Sequence, residues 1–267
     1  MVNFPTSLDT LTNPQASDAM DTAGVEHDIQ HANLNDIVEA LEAKVGIDNS
    51  NDTGSIDYRL RAVEAALGSE TDPWSDEFNG DELNISKWAI LNQGVAEVSQ
   101  SDGCLLITQP AHGSTDDVKM VVQTAPTGTW KVRAKLAMAF DLEESAYPGV
   151  YLGLRESSTG KIEMIGINWR SGVNNLIHFR YNSFFSYAST GWSNSRFPFG
   201  IYYFEVEKTE TDLIWRLSIE GQFFRQVLSK PITTFFTSGP DQIGLCANCF
   251  NTPYEMVAVC DWIRRIS

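Results

Sequence analysis

The chain has 267 residues, with 19 Lys and Arg against 35 Asp and Glu, a formal net charge of −16. That acidity argues against nucleic acid as the main partner and against a polybasic membrane contact, since both need Lys and Arg to meet phosphate. No apolar run reaches the roughly 18 residues that span a bilayer, so no membrane insertion is expected, and the first twelve residues lack the basic and apolar regions of a signal peptide.

Charge and aromatic content divide the chain. Residues 1–73 hold 14 acidic and 3 basic side chains (−11), whereas residues 74–267 hold 21 and 16 (−5). The first part has only Phe4 and Tyr58 as aromatics, and all seven Trp lie in the second. Only the second part has the large apolar side chains for a core of its own. The reading is an arm over 1–24, a helical segment over 25–72 and a β-domain over 73–267.

Residues 1–24 are rich in Thr, Ser, Asn, Asp and Pro, with turn signals at Phe4-Pro5 and Asn13-Pro14, and read as an extended or disordered arm. From Glu26 the pattern becomes helical. Ile29, Leu34, Ile37, Val38, Leu41 and Val45 recur at three- and four-residue spacings, and Gly46 supplies a stop. After the polar linker 48–54, Ser55 is a candidate N-cap for a second helix carrying Ile56, Leu60, Val63 and Leu67, closed by Gly68. Two thin apolar stripes without aromatics cannot form a globular core, and helices this short are marginal alone. Leu34, Ile37, Val38, Leu41, Val45, Ile56, Leu60, Val63 and Leu67 are therefore expected to form an oligomerisation seam between copies of the chain. The alternative is docking of both helices on the β-domain of the same chain.

The rest of the chain alternates with a period of two. Trp130, Val132, Ala134, Leu136, Met138 and Phe140 share one face against Lys131, Arg133 and Lys135. Leu213, Trp215, Leu217 and Ile219 behave likewise, as do Tyr202, Phe204 and Val206. Further strands are expected at 104–109, 118–124, 150–155, 161–169, 176–181, 222–228, 242–246 and 257–266. About a dozen short strands with no helix between them predict a mainly β fold, an antiparallel β-sandwich preceded by a helical stalk.

Two stretches carry resemblances. Trp74-Ser75-Asp76-Glu77-Phe78-Asn79-Gly80-Asp81-Glu82-Leu83-Asn84 with Lys87-Trp88 resembles the opening strand of concanavalin A-like (lectin/glucanase) jelly-roll domains, and Val259-Cys260-Asp261-Trp262-Ile263-Arg264-Arg265-Ile266 their closing strand. Phe4-Pro5-Thr6-Ser7-Leu8-Asp9, His31-Ala32-Asn33-Leu34-Asn35-Asp36 and Glu39-Ala40-Leu41-Glu42-Ala43-Lys44-Val45-Gly46 resemble a segment of tailed-bacteriophage structural proteins. The second resemblance implies a virion appendage assembled in the host cytoplasm, a homotrimer. It also implies attachment to a capsid or tail protein through residues 1–45, with Phe4, Pro5, Leu8 and Leu11 as attachment residues. Capsid decoration of the head-fibre type is preferred for a short stalk without repeats, with a tail-associated adhesin as the alternative. The acidic arm and stalk call for a comparatively basic docking surface and salt-sensitive attachment.

Few motifs carry catalytic chemistry. The laminarinase-type strand Glu-x-Asp-x-x-Glu is missing; Glu205 and Glu207 share a face without a third carboxylate, and Asp141, Glu143 and Glu144 occupy a loop-like stretch. The sandwich is therefore expected to be non-enzymatic rather than a glycan depolymerase. His27-Asp28-Ile29-Gln30-His31 departs from the zinc-protease helix by Asp for Glu. Cys246-Ala247-Asn248-Cys249 is half of a zinc knuckle, with Cys104 and Cys260 elsewhere; buried free thiols are the simpler reading. Thr115-Asp116-Asp117 offers oxygens for calcium without an EF-hand loop. No cofactor is expected. The stretch 180–199 interleaves rings with Asn, Ser and Arg, which suits sugar faces and hydroxyls. Tyr181, Tyr187, Trp192 and Arg196 are the candidates for binding host-surface glycans, against the reading that these rings are core.

Overall fold

A computed structural model describes residues 25–47, 50–67, 72–140, 147–170, 172–195, 197–198 and 200–267. Phe4, Pro5, Leu8, Leu11, Asp141, Glu143, Glu144 and Arg196 lie outside the described residues, as do the side chains of His27, His31 and Leu67. The chain divides into two units between residues 69 and 70.

The first unit is a helix–turn–helix. Helix α1 spans Val25–Val45 and α2 spans Ile56–Leu67. Gly46 ends α1 with φ +87°, and its N–H donates to the Glu42 carbonyl at 2.8 Å. A Cβ there would fall 2.8 Å from Ser55 Cβ, so glycine supplies both the left-handed turn and the room for the chain to return. Ser55 caps α2, its Oγ accepting from the Tyr58 N–H at 3.2 Å. Asp57 then ties the linker down, accepting from the Ser50 N–H at 2.9 Å and from Arg61 Nε at 3.1 Å. Leu34, Ile37, Leu41, Ile56, Leu60 and Val63 are 52–64 % exposed, whereas Val38 and Val45 are half-buried.

The second unit is a sandwich of two seven-stranded antiparallel sheets. The first sheet runs in the order β1 (Ala89–Leu91), β4 (Lys119–Thr124), β13 (Gln242–Phe250), β6 (Tyr147–Arg155), β7 (Ile162–Arg170), β8 (Val173–Ser183), β9 (Ser186–Ser195). The second runs β12 (Arg225–Pro231), β11 (Asp212–Ser218), β10 (Tyr202–Lys208), β5 (Trp130–Phe140), β14 (Met256–Arg265), β3 (Cys104–Gln109), β2 (Glu97–Ser101). The mainly β, sandwich-type fold expected from the alternation is the fold found. On β5 the residues from Trp130 to Met138 that alternate inward are buried against Phe204, Trp215, Leu152 and Ile165. Burying each such large side chain stabilises by about 1.5–3 kcal/mol. Outside, Arg133 meets its register partner Glu205 at 2.6 Å.

Some local expectations change. The segment Trp74–Trp88 forms no strand; it is a loop joined to β14 by the single bridge Asp76–Ile263. Side chains fasten it: Trp88 Nε1 donates to Asp76 at 2.7 Å, and Arg264 grips Glu77 with two bonds of 2.5 and 2.6 Å. The strand expected at 222–228 begins at Arg225, because Gly221 (φ +80°) still belongs to the turn. Residues 186–195, with four Ser, one Asn and one Gly, form the edge strand β9 despite weak β-propensity, because β8 supplies the pairing.

The first sheet carries buried apolar residues on both faces. Val150, Leu152 and Leu154 face the inter-sheet core, while Tyr151, Met120, Met164, Ile177, Tyr181 and Cys246 make a second apolar cluster on the outer face. That outer cluster is the foundation of the site.

Candidate functional site

A cleft of about 320 Å³ opens on the outer face of the first sheet. Strand β6 places Tyr147 and Tyr151 there, β7 Asn168 and Arg170, β8 Phe179 and Tyr181, β9 Tyr187, and β13 Asn248 and Phe250; Asp116 enters from the loop before β4.

Two glycines make the floor. Tyr151 pairs with Gly166 in register, and Gly149 lies two residues before it on the same face. A Cβ at Gly149 would fall 2.0 Å from the Tyr151 hydroxyl oxygen, and one at Gly166 would fall 2.8 Å from its ring. The ring therefore lies back along its own strand, in a slot that any other residue would fill. Above this floor stand two pairs of rings packed edge to face. Tyr147 and Phe250 have centroids 5.7 Å apart; Phe179 and Tyr187 are 5.9 Å apart. The Arg170 guanidinium sits over Tyr147 at 5.7 Å and is exposed at the rim.

The polar groups of the floor are held in place. Tyr181 donates its hydroxyl to Asp116 Oδ1 at 2.9 Å, and Asn248 Nδ2 donates to the same oxygen at 3.0 Å. Asn248 is fixed in turn by the Asp117 N–H, which donates to its Oδ1 at 3.1 Å. Asn168 Nδ2 donates to the Pro148 carbonyl at 3.1 Å. Burial pushes both tyrosine hydroxyls well above the usual phenol range; the Asp116 charge adds to this in each. Both remain protonated donors at neutral pH. The cleft thus offers ring faces for apolar sugar edges, and a carboxylate, amides and a guanidinium for hydroxyls.

The candidate rings are separated by the structure. Tyr181 is 2 % exposed and forms floor, while Tyr187 is 47 % exposed and forms wall. Trp192 faces a different groove, lined by Asn194, Phe223 and Arg225 among others. The signal for the missed residues was present in β6, where Tyr147, Gly149, Tyr151 and Gly153 alternate with Pro148, Val150, Leu152 and Leu154. A strand with rings and glycines opposite aliphatic residues is used on both faces.

The remaining candidate groups have local partners or surroundings. Cys246 lies in the outer cluster and Cys249 in the inter-sheet core, because three residues along a strand is an odd step, so they cannot share one metal. Burial pushes the Cys249 thiol up to about 12 and that of Cys246 still higher. Asp117 turns away from Asp116 and is neutralised by Lys119 at 2.7 Å. Glu205 is buried between Arg133 and Arg216, each at 2.6 Å. Burial alone would raise Glu207, but the hydrogen bond from Arg216 and the charges of Lys131 and Arg216 hold it below the usual range.

Fold and site together define a class: a two-sheet antiparallel β-sandwich with a ring-walled cleft on one outer face. No protein-family model matches the chain, and no curated protein does. Among solved structures it is similar to a mutant GH43 protein, BlXynB, from Bacillus licheniformis, with 15 % identity over 74 % of this chain and 40 % of that one, TM-score 0.55. It is also similar to the GH43B protein of a Bacteroides ovatus xyloglucan locus, with 14 % identity over 73 % and 39 %, TM-score 0.53. These likenesses show the β-sandwich, and the chain spans about two fifths of the length of each. A weaker match is the CBM2 module of the evolved Dit of Lactobacillus casei BL23 phage J-1, with 11 % identity over 72 % and 95 %, TM-score 0.47.

The expectation of a non-enzymatic sandwich is corrected by the GH43 matches. This fold occurs within glycoside hydrolase chains, so a missing laminarinase-type strand does not place the chain outside the enzymes.

Proposed function

We propose that the chain is a component of a bacteriophage particle, a trimeric capsid decoration of the head-fibre type whose β-sandwich is displayed outward and binds glycans. The cleft carries the glycan part. Its four wall rings, its braced Asp116–Tyr181–Asn248 floor and its exposed Arg170 suit a polyhydroxylated ligand with apolar ring faces. The stalk supports self-association: six large apolar side chains on α1 and α2 are more than half exposed in the single chain, at seam spacing. The phage part rests on the resemblance of residues 3–67 to tailed-phage structural proteins. A tail-associated adhesin is the second reading, favoured by the same cleft if it meets host glycans.

Calorimetric titration and product analysis with host-envelope polysaccharides read binding and cleavage together. Tyr187→Ala is expected to weaken binding about tenfold or more while the fold persists. Undiminished binding by that variant rejects the cleft. Sedimentation of the full chain is expected to give a trimer that Leu41→Asp dissociates, and a monomeric wild type rejects the stalk.

A further inference from the structure

Three register shifts in the β8–β9 ladder lead to a second site. Tyr187 pairs with Tyr181 on the outer face, whereas Trp192 pairs with His178. His178 is fully buried and meets Trp215 of the opposite sheet edge to face at 5.0 Å. Trp192 therefore aims at the lateral opening between the sheets, on the other face of the sheet from Tyr187, the β8 partners of the two rings lying three residues, about 10 Å, apart along the strand. Gly191 makes this possible, since a Cβ there would fall 2.4 Å from His178 Nδ1.

The opening is a groove of about 350 Å³ between the two edge strands β9 and β12. Trp192 forms one wall. The β11–β12 turn forms the other and lifts Ile219 and Phe223 into solvent, 68 % and 76 % exposed. Between the walls lie Asn194, Arg225 and Gln226, whose side chains make no hydrogen bond among the described residues. Ring faces flanking unengaged amide and guanidinium groups repeat the makeup of the first cleft. An added peptide strand fits poorly, because both edges are bulged: β9 at two places and β12 opposite Trp215 and Arg216.

We propose that this lateral groove is a second carbohydrate site, so that each sandwich holds two saccharides on opposite faces of β9. The proposal rests on the glycan reading of the first cleft. Two sites on one domain raise the avidity for a polymer above that for a short fragment, provided the polymer can turn the sheet edge.

The test is calorimetric titration of the full chain with short xylo-, chito- and gluco-oligosaccharides. The expected stoichiometry is two per chain in the wild type, one in Tyr187→Ala, one in Phe223→Ala and none in the double variant. Affinity for the parent polymer is expected to fall about tenfold or more in each single variant. A wild-type stoichiometry of one, lost in Tyr187→Ala and untouched by Phe223→Ala, overturns the second site and leaves the first. Loss in Phe223→Ala alone keeps the groove and rejects the cleft. Binding to none of the sugars rejects both. A changed sedimentation coefficient in Phe223→Ala without a change in sugar binding makes the groove an interface between copies and overturns the proposal.

Discussion

Gly149 and Tyr151 are predicted to be energetically coupled. Gly149→Ala puts a methyl 2.0 Å from the Tyr151 hydroxyl oxygen and 2.4 Å from its Cζ, where ordinary contact is about 3.4 Å or more. The ring must move by more than 1 Å in a site where it has 1 % exposure. Overpacking of this kind costs about 1–3 kcal/mol, which for a domain of this size lowers the melting temperature by about 2–4 °C per kcal/mol. Tyr151→Ala alone is expected to cost about 3–5 kcal/mol, in the range of large-to-small aromatic substitutions. The double variant removes the clash, so its cost falls short of the sum by about 1–2 kcal/mol. Urea unfolding followed by tryptophan fluorescence reads the sandwich alone, since all seven Trp lie after residue 73. Saccharide binding should fall in both single variants. Additive costs within about 0.5 kcal/mol refute the slot that shapes the cleft floor.

Acid should destabilise the sandwich through His178. Burial, with the nearby Arg180 charge, lowers its pKa to about 3 from 6.5. The unfolded chain then binds a proton between pH 6.5 and 3 that the folded chain refuses, so stability is complete above 6.5 and declines by up to about 5 kcal/mol as pH falls to 3. His178→Phe should flatten that part of the stability–pH curve, and an unchanged slope contradicts the assignment. Glu163 is fully buried between Lys230 and Arg180, the latter at 2.9 Å. Glu163→Gln should cost about 3–5 kcal/mol, with Lys230→Met recovering part of it, because the loss comes from an uncompensated buried charge; a neutral outcome in denaturant titration counts against this. The buried Cys246, Cys249 and Cys260 should resist a thiol reagent at pH 8 in the native protein and react after unfolding; rapid native labelling of Cys249 refutes the burial.

What lay in local pattern was legible in the sequence. The two helices, Ser55 as cap and Gly46 as stop all recur in the structure, because a helix relates residues three or four apart. The strand Trp130–Phe140 was legible for the same reason, its period of two being set by its own residues. The cleft was not. Asp116, Tyr151, Asn168, Tyr181 and Asn248 come from separate parts of the chain and meet only because β4, β13, β6, β7 and β8 pair side by side. No local period encodes that pairing. Trp192 stands an odd five residues from Tyr187, which by alternation alone puts the two rings on opposite faces, but that its face opens on a groove follows only from β9 and β12 both being sheet edges. Sequence alone therefore determined an acidic helical segment and an aromatic-rich β-domain. Tertiary pairing decided which rings became floor, which became wall, and which turned to a second groove.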